Sequence, residues 1–323
     1  MDPTDRTGQT DLRPHPKLRS AGRLGILYNE INTGYEAGQG AMQTIVFGSK
    51  GQLGRELYAR FSRDGEVFAA DLPELDIADF DAVGRLVRDV RPDLVVNAAG
   101  YTDVEAAEDD PVSAFGVNET GAGNVARASA GAGAPVVYYS TDFVFDGEKK
   151  HPYMPDDVPA PLCVYAKSKL AGETATRENN DRHCIIRTAW LYGPGGKNFV
   201  EKILRAAQTR PSLTVVEDEV GSPTYTLDLA EATAALASAG ATGTFHVVNS
   251  GSCSRYEFAR KIVELAGLDT PVEPCSASAF PMKAKRPLYS VLSNEKYETL
   301  TGKTVRAWQE ALASYIQRRR QNQ

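Results

Sequence analysis

The sequence predicts an α/β fold: a doubly wound parallel sheet followed by a smaller C-terminal lobe. Two observations carry this. From residue 42 to about 193, short apolar runs alternate with amphipathic stretches, and the runs are nearly continuous, as expected of strands covered on both faces. The first run leads at once into a glycine-rich turn and a helical pattern, the start of a βα unit.

The elements follow in order. "TIVFG" reads as the first strand, and "GQLGRELYARFSRDG" as a helix with Leu53, Leu57 and Phe61 on one face. "EVFAAD" is a second strand, and "DFDAVGRLVRDVRP" a helix closed by Pro92. "DLVVNAAG" is a third strand, "DPVSAFGVNETGAGNVARASAGAG" one long helix and "PVVYYST" a fourth strand. "YAKSKLAGETATRENN" is a helix and "HCIIRTAWLYG" a fifth strand. After residue 193 the rhythm breaks. "KNFVEKILRAAQTRP" and "LDLAEATAALASAG" read as helices, "LTVVEDEVGSPTY" as a short strand and loop, and "GTFHVVNSG" as a further strand of the main sheet. Residues 253–314 hold helices, two proline-rich loops and little strand. The domain reading is therefore a dinucleotide-binding domain over 42–193, with a return of the chain to its sheet at 220–250, and a lobe over 194–323 that closes over the strand ends. Residues 1–41 are polar and aperiodic, and disorder is expected there.

Composition narrows the class. The formal charge of −6 disfavours general nucleic-acid binding, which needs a basic surface. The four cysteines, Cys163, Cys184, Cys253 and Cys275, show no paired or metal-ligand spacing and read as reduced thiols of a cytoplasmic protein. No apolar run is long enough to span a membrane, and the first residues lack a signal-peptide core. The charged "DVEAAEDDP" reads as a helix start, not a metal site.

Gly48, Gly51 and Gly54 form G-x-x-G-x-x-G between the first strand and the first helix. Glycine lets the backbone turn tightly and approach a pyrophosphate while the helix N-terminus faces the phosphates, so the sheet is of Rossmann type. Asp71 follows the second strand, where an acid binds the adenosine ribose hydroxyls and favours NADH; its other reading is a turn or helix cap. Arg55 beside the loop suits the 2′-phosphate of NADPH instead, and Asp76 and Ile77 are placed to flank the adenine. The cofactor is thus NADPH or NADH.

Ligands of open α/β sheets bind outside the carboxyl ends of the strands, where "NAAGYTD" and "STDFVFDG" follow the third and fourth. Tyr165 and Lys169 sit four apart, on one face of the next helix. With Thr141 they suit carbonyl reduction. A ketone that accepts hydride becomes an alkoxide and needs a proton. A phenol can donate it, but its ordinary pKa of roughly 10 is high, and a nearby ammonium lowers it. The threonine hydroxyl holds the carbonyl oxygen in line.

These segments carry a resemblance. With "FGSKGQLGREL", "VVNAAGYTDVEAAE", "VNETGAGNVARA", "YYSTDFVFDG", "APLCVYAKSKLAGE", "IIRTAWLYG", "DEVGSPTYTLDLA" and "KAKRPLYSVLS", the chain resembles the dTDP-4-dehydrorhamnose reductases of the extended short-chain dehydrogenase/reductase superfamily. The resemblance runs from Met42 almost to the C-terminus. It implies Thr141, Tyr165 and Lys169 as the catalytic triad. It implies Gln52, Leu53, Gly54 and Arg55 at the cofactor phosphates, Asp76 and Ile77 near the adenosine, and Gly100, Tyr101 and Thr102 lining the cofactor. Asp142 and Trp190 would face the sugar nucleotide, with Arg286 at its anionic half. Some relatives are dimers bridged by magnesium through carboxylates. Glu56 holds the first such position, but Leu227 stands where the second glutamate belongs, so no metal is predicted and the chain is expected to be a monomer or homodimer.

Two other readings share these motifs. A sugar-nucleotide dehydratase or epimerase is one, but a 4,6-dehydratase needs a proton-transferring acid where this chain has Phe143. The other is a non-catalytic, NADP-binding regulatory subunit similar to that of methionine adenosyltransferase. Turnover of a keto-sugar nucleotide separates the reductase from both. The aperiodic extension is expected to be dispensable: a chain beginning at Met42 should fold and keep full activity, and a large loss of Tm or turnover on removing residues 1–41 would refute this.

Overall fold

The structure is a computed structural model and describes residues 42–321, so the reading of 1–41 falls outside the described residues. The chain runs through β1 (Met42–Phe47), α1 (Gln52–Phe61), β2 (Gly65–Ala70), α2 (Phe80–Val90), β3 (Leu94–Asn97), α3 (Val104–Asp109), α4 (Pro111–Phe115), α5 (Ala122–Gly131), β4 (Val136–Thr141), α6 (Val164–Asn179) and β5 (His183–Thr188). It continues through β6 (Leu191–Tyr192), α7 (Phe199–Thr209), β7 (Leu213–Val216), β8 (Val220–Gly221), β9 (Thr224–Tyr225), α8 (Thr226–Ser238), β10 (Gly243–His246), β11 (Cys253–Ser254), α9 (Arg255–Ala266), β12 (Val272–Cys275), α10 (Glu295–Thr301) and α11 (Trp308–Gln321). Six strands form one sheet in the order β10-β5-β4-β3-β1-β2, and every pair is parallel. The order reverses between β1 and β3, the switch point at which such sheets open a crevice.

Alternation along the strands builds two cores. Ile45, Phe47, Val95 and Val136 pack with Val83, Leu86 and Val87 of α2 and Val125 of α5. Val46, Val96, Val137 and Ile186 pack with Leu53, Leu57 and Phe61 of α1 and with Leu229 and Leu236 of α8. A third core joins α7, α9 and α11 through Ile203, Phe258, Ile262, Leu312 and Ile316. The short pairs β6–β9, β8–β11 and β7–β12 surround it.

Three elements differ from the sequence reading: the run read as a fifth strand breaks after Thr188, and its end, β6, pairs with β9 outside the main sheet. The helix α2 ends at Val90, before Pro92, because Arg91 takes a left-handed φ of 52°. The residue before a proline is disfavoured in the α region, so the stop falls a residue earlier than the proline itself. The long helix is not regular either: a π-helical turn, Gly116–Gly121, separates α4 from α5.

The helix that carries Tyr165 and Lys169 is fixed to the sheet by a buried ion pair. Arg187 on β5 donates from Nε to Glu173 Oε1 at 2.8 Å and from Nη2 to Oε2 at 2.7 Å, and its Nη1 donates to Pro155 O at 3.0 Å. Their side chains are 4% and 0% exposed, so each ion depends on the other for its solvation. Glu173→Ala should cost about 3–5 kcal/mol by stranding the guanidinium, whereas the double replacement Glu173→Leu with Arg187→Leu should recover most of it. Denaturant melts of both variants check this; a single variant as stable as wild type would show that the pair holds nothing.

Candidate active site

The glycine turn follows β1. Gly48 has a φ of +73°, and a Cβ there would meet Ala98 and Ala99 of the strand-end loop. A Cβ on Gly54 would run into Gly48 O, so α1 lies directly against the turn. Gly51 caps α1 with no side-chain hydrogen bond, the kind of helix N-terminus whose first N–H groups receive an anion. A cradle that admits no Cβ, at an uncapped helix N-terminus, fits a dinucleotide pyrophosphate. Leu53 is buried in the core beneath it. Gln52 and Arg55 are engaged by protein: Gln52 Oε1 accepts from Asn198 Nδ2 at 3.0 Å, and Arg55 Nε donates to Lys50 O at 2.8 Å.

Asp71 faces the same turn. Its carboxylate accepts Lys50 N at 2.7 Å and Leu72 N at 2.8 Å, so it braces the loop backbone, the cap-like role among its two readings. Two acceptor sites of the carboxylate stay open to a ribose. Asp76 accepts Ala78 N at 2.9 Å and turns the chain so that Ile77 is buried against Gly121. Asn124 holds this turn from α5 by donating to Ile77 O and Ala78 O.

The loop after β3 is pinned by Asn118, a residue that the sequence reading missed. Asn118 Oδ1 accepts Tyr101 N at 2.9 Å, and its Nδ2 donates to Tyr101 O at 3.0 Å and to Ser168 Oγ at 2.9 Å. The π-turn is what carries Asn118 to this position. Such turns gather at functional sites, but no residue pattern announces one. Gly100 lies between Asn118 and Lys169: a Cβ on it would sit 3.2 Å from Asn118 Oδ1 and 3.7 Å from Lys169 Nζ. Thr102 is exposed at the start of the next segment.

Thr141 ends β4, and Tyr165 and Lys169 share the inner face of α6. Burial pushes the Tyr165 phenol up, and the neighbouring Thr141 hydroxyl relieves part of that rise. Lys169 is also buried; desolvation brings its ammonium down to about 7, and the Glu173 carboxylate opposes the fall. Thr141 relieves the phenol, and the Lys169 ammonium lies over the Tyr138 ring, 4.1 Å from its centre. Phe143 stands edge-on to Tyr165, with ring centres 6.1 Å apart.

Asp142 is 2% exposed and accepts Ser290 Oγ at 2.6 Å and Thr141 Oγ1 at 3.0 Å. Burial raises its carboxyl to about 6, against the pull of these bonds and of the Arg255 charge. Trp190 takes a left-handed φ of 47°, a strained choice for an aromatic residue. Its ring is held between the Gly221 backbone and the Arg255 guanidinium, 3.4 Å from the ring centre. Arg286 donates to Glu105 Oε1 at 3.0 Å, so it is already half engaged. Arg255, Arg286, Lys197 and Lys202 line a pocket of about 360 Å³ with Phe280 and Met282. Sequence reading missed Arg255 and Ser290. The "SRYE" capping box marks Arg255 as the first residue of a helix, but nothing local marks its partner Trp190.

Glu56 is engaged by protein: its carboxylate accepts Arg318 Nη1 at 2.8 Å. Among the described residues no group of three or more His, Cys, Asp or Glu is placed to hold a metal ion.

A family described as the RmlD substrate binding domain matches residues 42–321. The chain is 43% identical over 278 residues to the spore coat polysaccharide biosynthesis protein SpsK of Bacillus subtilis, covering 86% of this chain and 98% of that one. It is 43% identical over 281 residues to the dTDP-4-dehydrorhamnose reductase of Mycobacterium tuberculosis, covering 84% of this chain and 91% of that one. The solved dTDP-4-dehydrorhamnose reductase of Bacillus anthracis in complex with NADP is similar at a TM-score of 0.83 and 37% identity, covering 86% of this chain and 99% of that one.

Asp71 gives the test of cofactor choice. Removing its charge relieves repulsion of a 2′-phosphate, so Asp71→Ala should weaken NADH binding more than NADPH binding. Equal losses for both cofactors in titrations would assign Asp71 to the loop alone.

Proposed function

The chain belongs to the dTDP-4-dehydrorhamnose reductase family, and from that membership we propose its reaction: reduction of the C4 ketone of dTDP-4-dehydro-β-L-rhamnose to the alcohol of dTDP-L-rhamnose at the expense of NADPH or NADH. The protein is an oxidoreductase of nucleotide-sugar and carbohydrate biosynthesis, acting in the dTDP-rhamnose pathway. The single observation behind the residue assignment is the buried Lys169 one helical turn after Tyr165 on α6, facing Thr141 at the end of β4.

A bound reduced nicotinamide supplies the hydride that adds to C4. The carbonyl π pair then moves to O4, and Tyr165 Oη gives its proton to that oxygen as the charge develops. Thr141 holds O4 in line by turning its hydroxyl hydrogen from Asp142 to that oxygen. Lys169 steadies the phenolate that remains, with its positive charge, until solvent returns the proton. The glycine turn at 48–54 and the backbone at 100–102 hold the dinucleotide, with Asp71, Asp76 and Ile77 at its adenosine end. Asp142 and Trp190 face the sugar nucleotide. Arg286, beside Arg255 and two lysines, meets its diphosphate through the double N–H geometry that a guanidinium offers. Phe143 fills the place of a second proton-transferring group, which favours simple reduction over dehydration. No helix among the described residues is long and apolar enough to cross a membrane. With four free cysteines, the protein reads as a cytoplasmic enzyme that works as a monomer or homodimer.

The test is spectrophotometric, with the keto-sugar nucleotide and each reduced nicotinamide in turn; no oxidation of either cofactor would sink the proposed reaction. Tyr165→Phe keeps the ring and removes the transferable proton, and kcat should fall by about 10² to 10⁴-fold with cofactor affinity little changed. Lys169→Met should lower kcat and also weaken cofactor binding. Near-normal turnover by a folded Tyr165→Phe protein would remove Tyr165 from the chemistry.

A further inference from the structure

Lys169 has to carry a charge in a place that water scarcely reaches: it is 5% exposed. The groups that face it can be named element by element. From α6 itself come Tyr165 and Glu173, and the Glu173 carboxylate is already taken by Arg187 of β5. From the loop after β3 comes Gly100, which bears no side chain, with the neutral Asn118 carboxamide beyond it. From β4 comes Tyr138, whose ring lies face-on beneath Nζ with the centre 4.1 Å away. An ammonium over an aromatic face is held by the ring's quadrupole, and the attraction grows as water is excluded.

Tyr138 is built into this position. It is 1% exposed, and its hydroxyl donates to Asn118 O at 3.1 Å. The helix α6 passes over it at Gly172, where a Cβ would collide with the Tyr138 hydroxyl. The ring is thus clamped between β4, the π-turn and α6 and cannot swing away from Lys169.

We propose that Tyr138 is a positioning residue for the reaction: its ring face aims the Lys169 ammonium and keeps it charged, while its hydroxyl ties α6 to the π-turn. The proposal rests on the assignment of Tyr165 and Lys169 made above. It separates two parts of one side chain, since the ring acts on the charge and the hydroxyl acts on the fold.

The experiment uses the full chain and three residues at position 138. Tyr138→Phe keeps the ring and loses the hydroxyl. Tyr138→Leu loses both. Trifluorophenylalanine keeps the shape of phenylalanine but withdraws the negative charge from its face, and it stands in for Leu if that variant does not fold. The readout is the titration of Lys169 by NMR with carbon-13 at lysine Cε, assigned by its absence in Lys169→Met. Tyr138→Phe should titrate as wild type, with only a lower Tm. The Leu and trifluoro variants should lose the Lys169 proton about one pH unit lower, an effect of about tenfold on the proton equilibrium. Their kcat slightly above neutral pH should fall by several-fold at nearly constant KM, and should recover on mild acidification as Lys169 regains its charge. An unchanged Lys169 midpoint in the trifluoro variant, or an equal shift in Tyr138→Phe, would overturn the proposal. Should Lys169→Met keep full turnover, the reductase assignment of Lys169 falls, while the NMR midpoints still decide what Tyr138 does.

Discussion

A cation has to stay charged inside a helix–sheet interface, and much of the architecture around α6 answers to that constraint. Lys169 is stripped of water, which favours its neutral form. The carboxylate of Glu173 stands one turn along the same helix and opposes the loss. Glu173 in turn is buried and needs Arg187, and Arg187 also donates from Nη1 to Pro155 O. The compensation runs outward from the site, through the helix, to the fifth strand and the loop beyond. Such pairs add little net stability over an apolar packing. What this one does is hold α6 at one height on the sheet, so that Tyr165 arrives beside Thr141.

The sheet and its glycine turn were legible in the residues because their causes are local. Continuous apolar runs mark strands buried on both faces, and Gly48 and Gly54 are needed where a Cβ has no room. Tyr165 and Lys169 were legible for the same reason, as four-residue spacing puts two side chains on one helix face. What surrounds them was not. Ser290 reaches Asp142, and Arg255 reaches Trp190, across long stretches of chain with no periodicity to announce the contact. The strand pairs of the C-terminal lobe are too short to leave an alternating pattern. Asp71 was read at the right place, but only its neighbours reveal that it braces the backbone of Lys50 and Leu72.

The substrate side is assembled from both halves of the chain. Asp142 is bound to Ser290, Arg286 to Glu105, and Gln52 to Asn198, so segments after residue 193 are bonded directly to the loops that end β1, β3 and β4. Glu56 follows the same habit by pairing with Arg318 of the last helix.

The π-turn at Gly116–Gly121 has a consequence for how such a chain can change over time. A helix with one residue too many in a turn has two halves out of phase by about 100°, the rotation that each α-helical residue contributes. Ala114 before the turn and Val125 after it are both buried. A single-residue deletion would wind the turn into ordinary α-helix, swing one half away from its neighbours and carry Asn118 off the loop it holds. The length of this segment is thus constrained as well as its residues, among them Asn118 and the Gly121 that a Cβ would drive into Ile77.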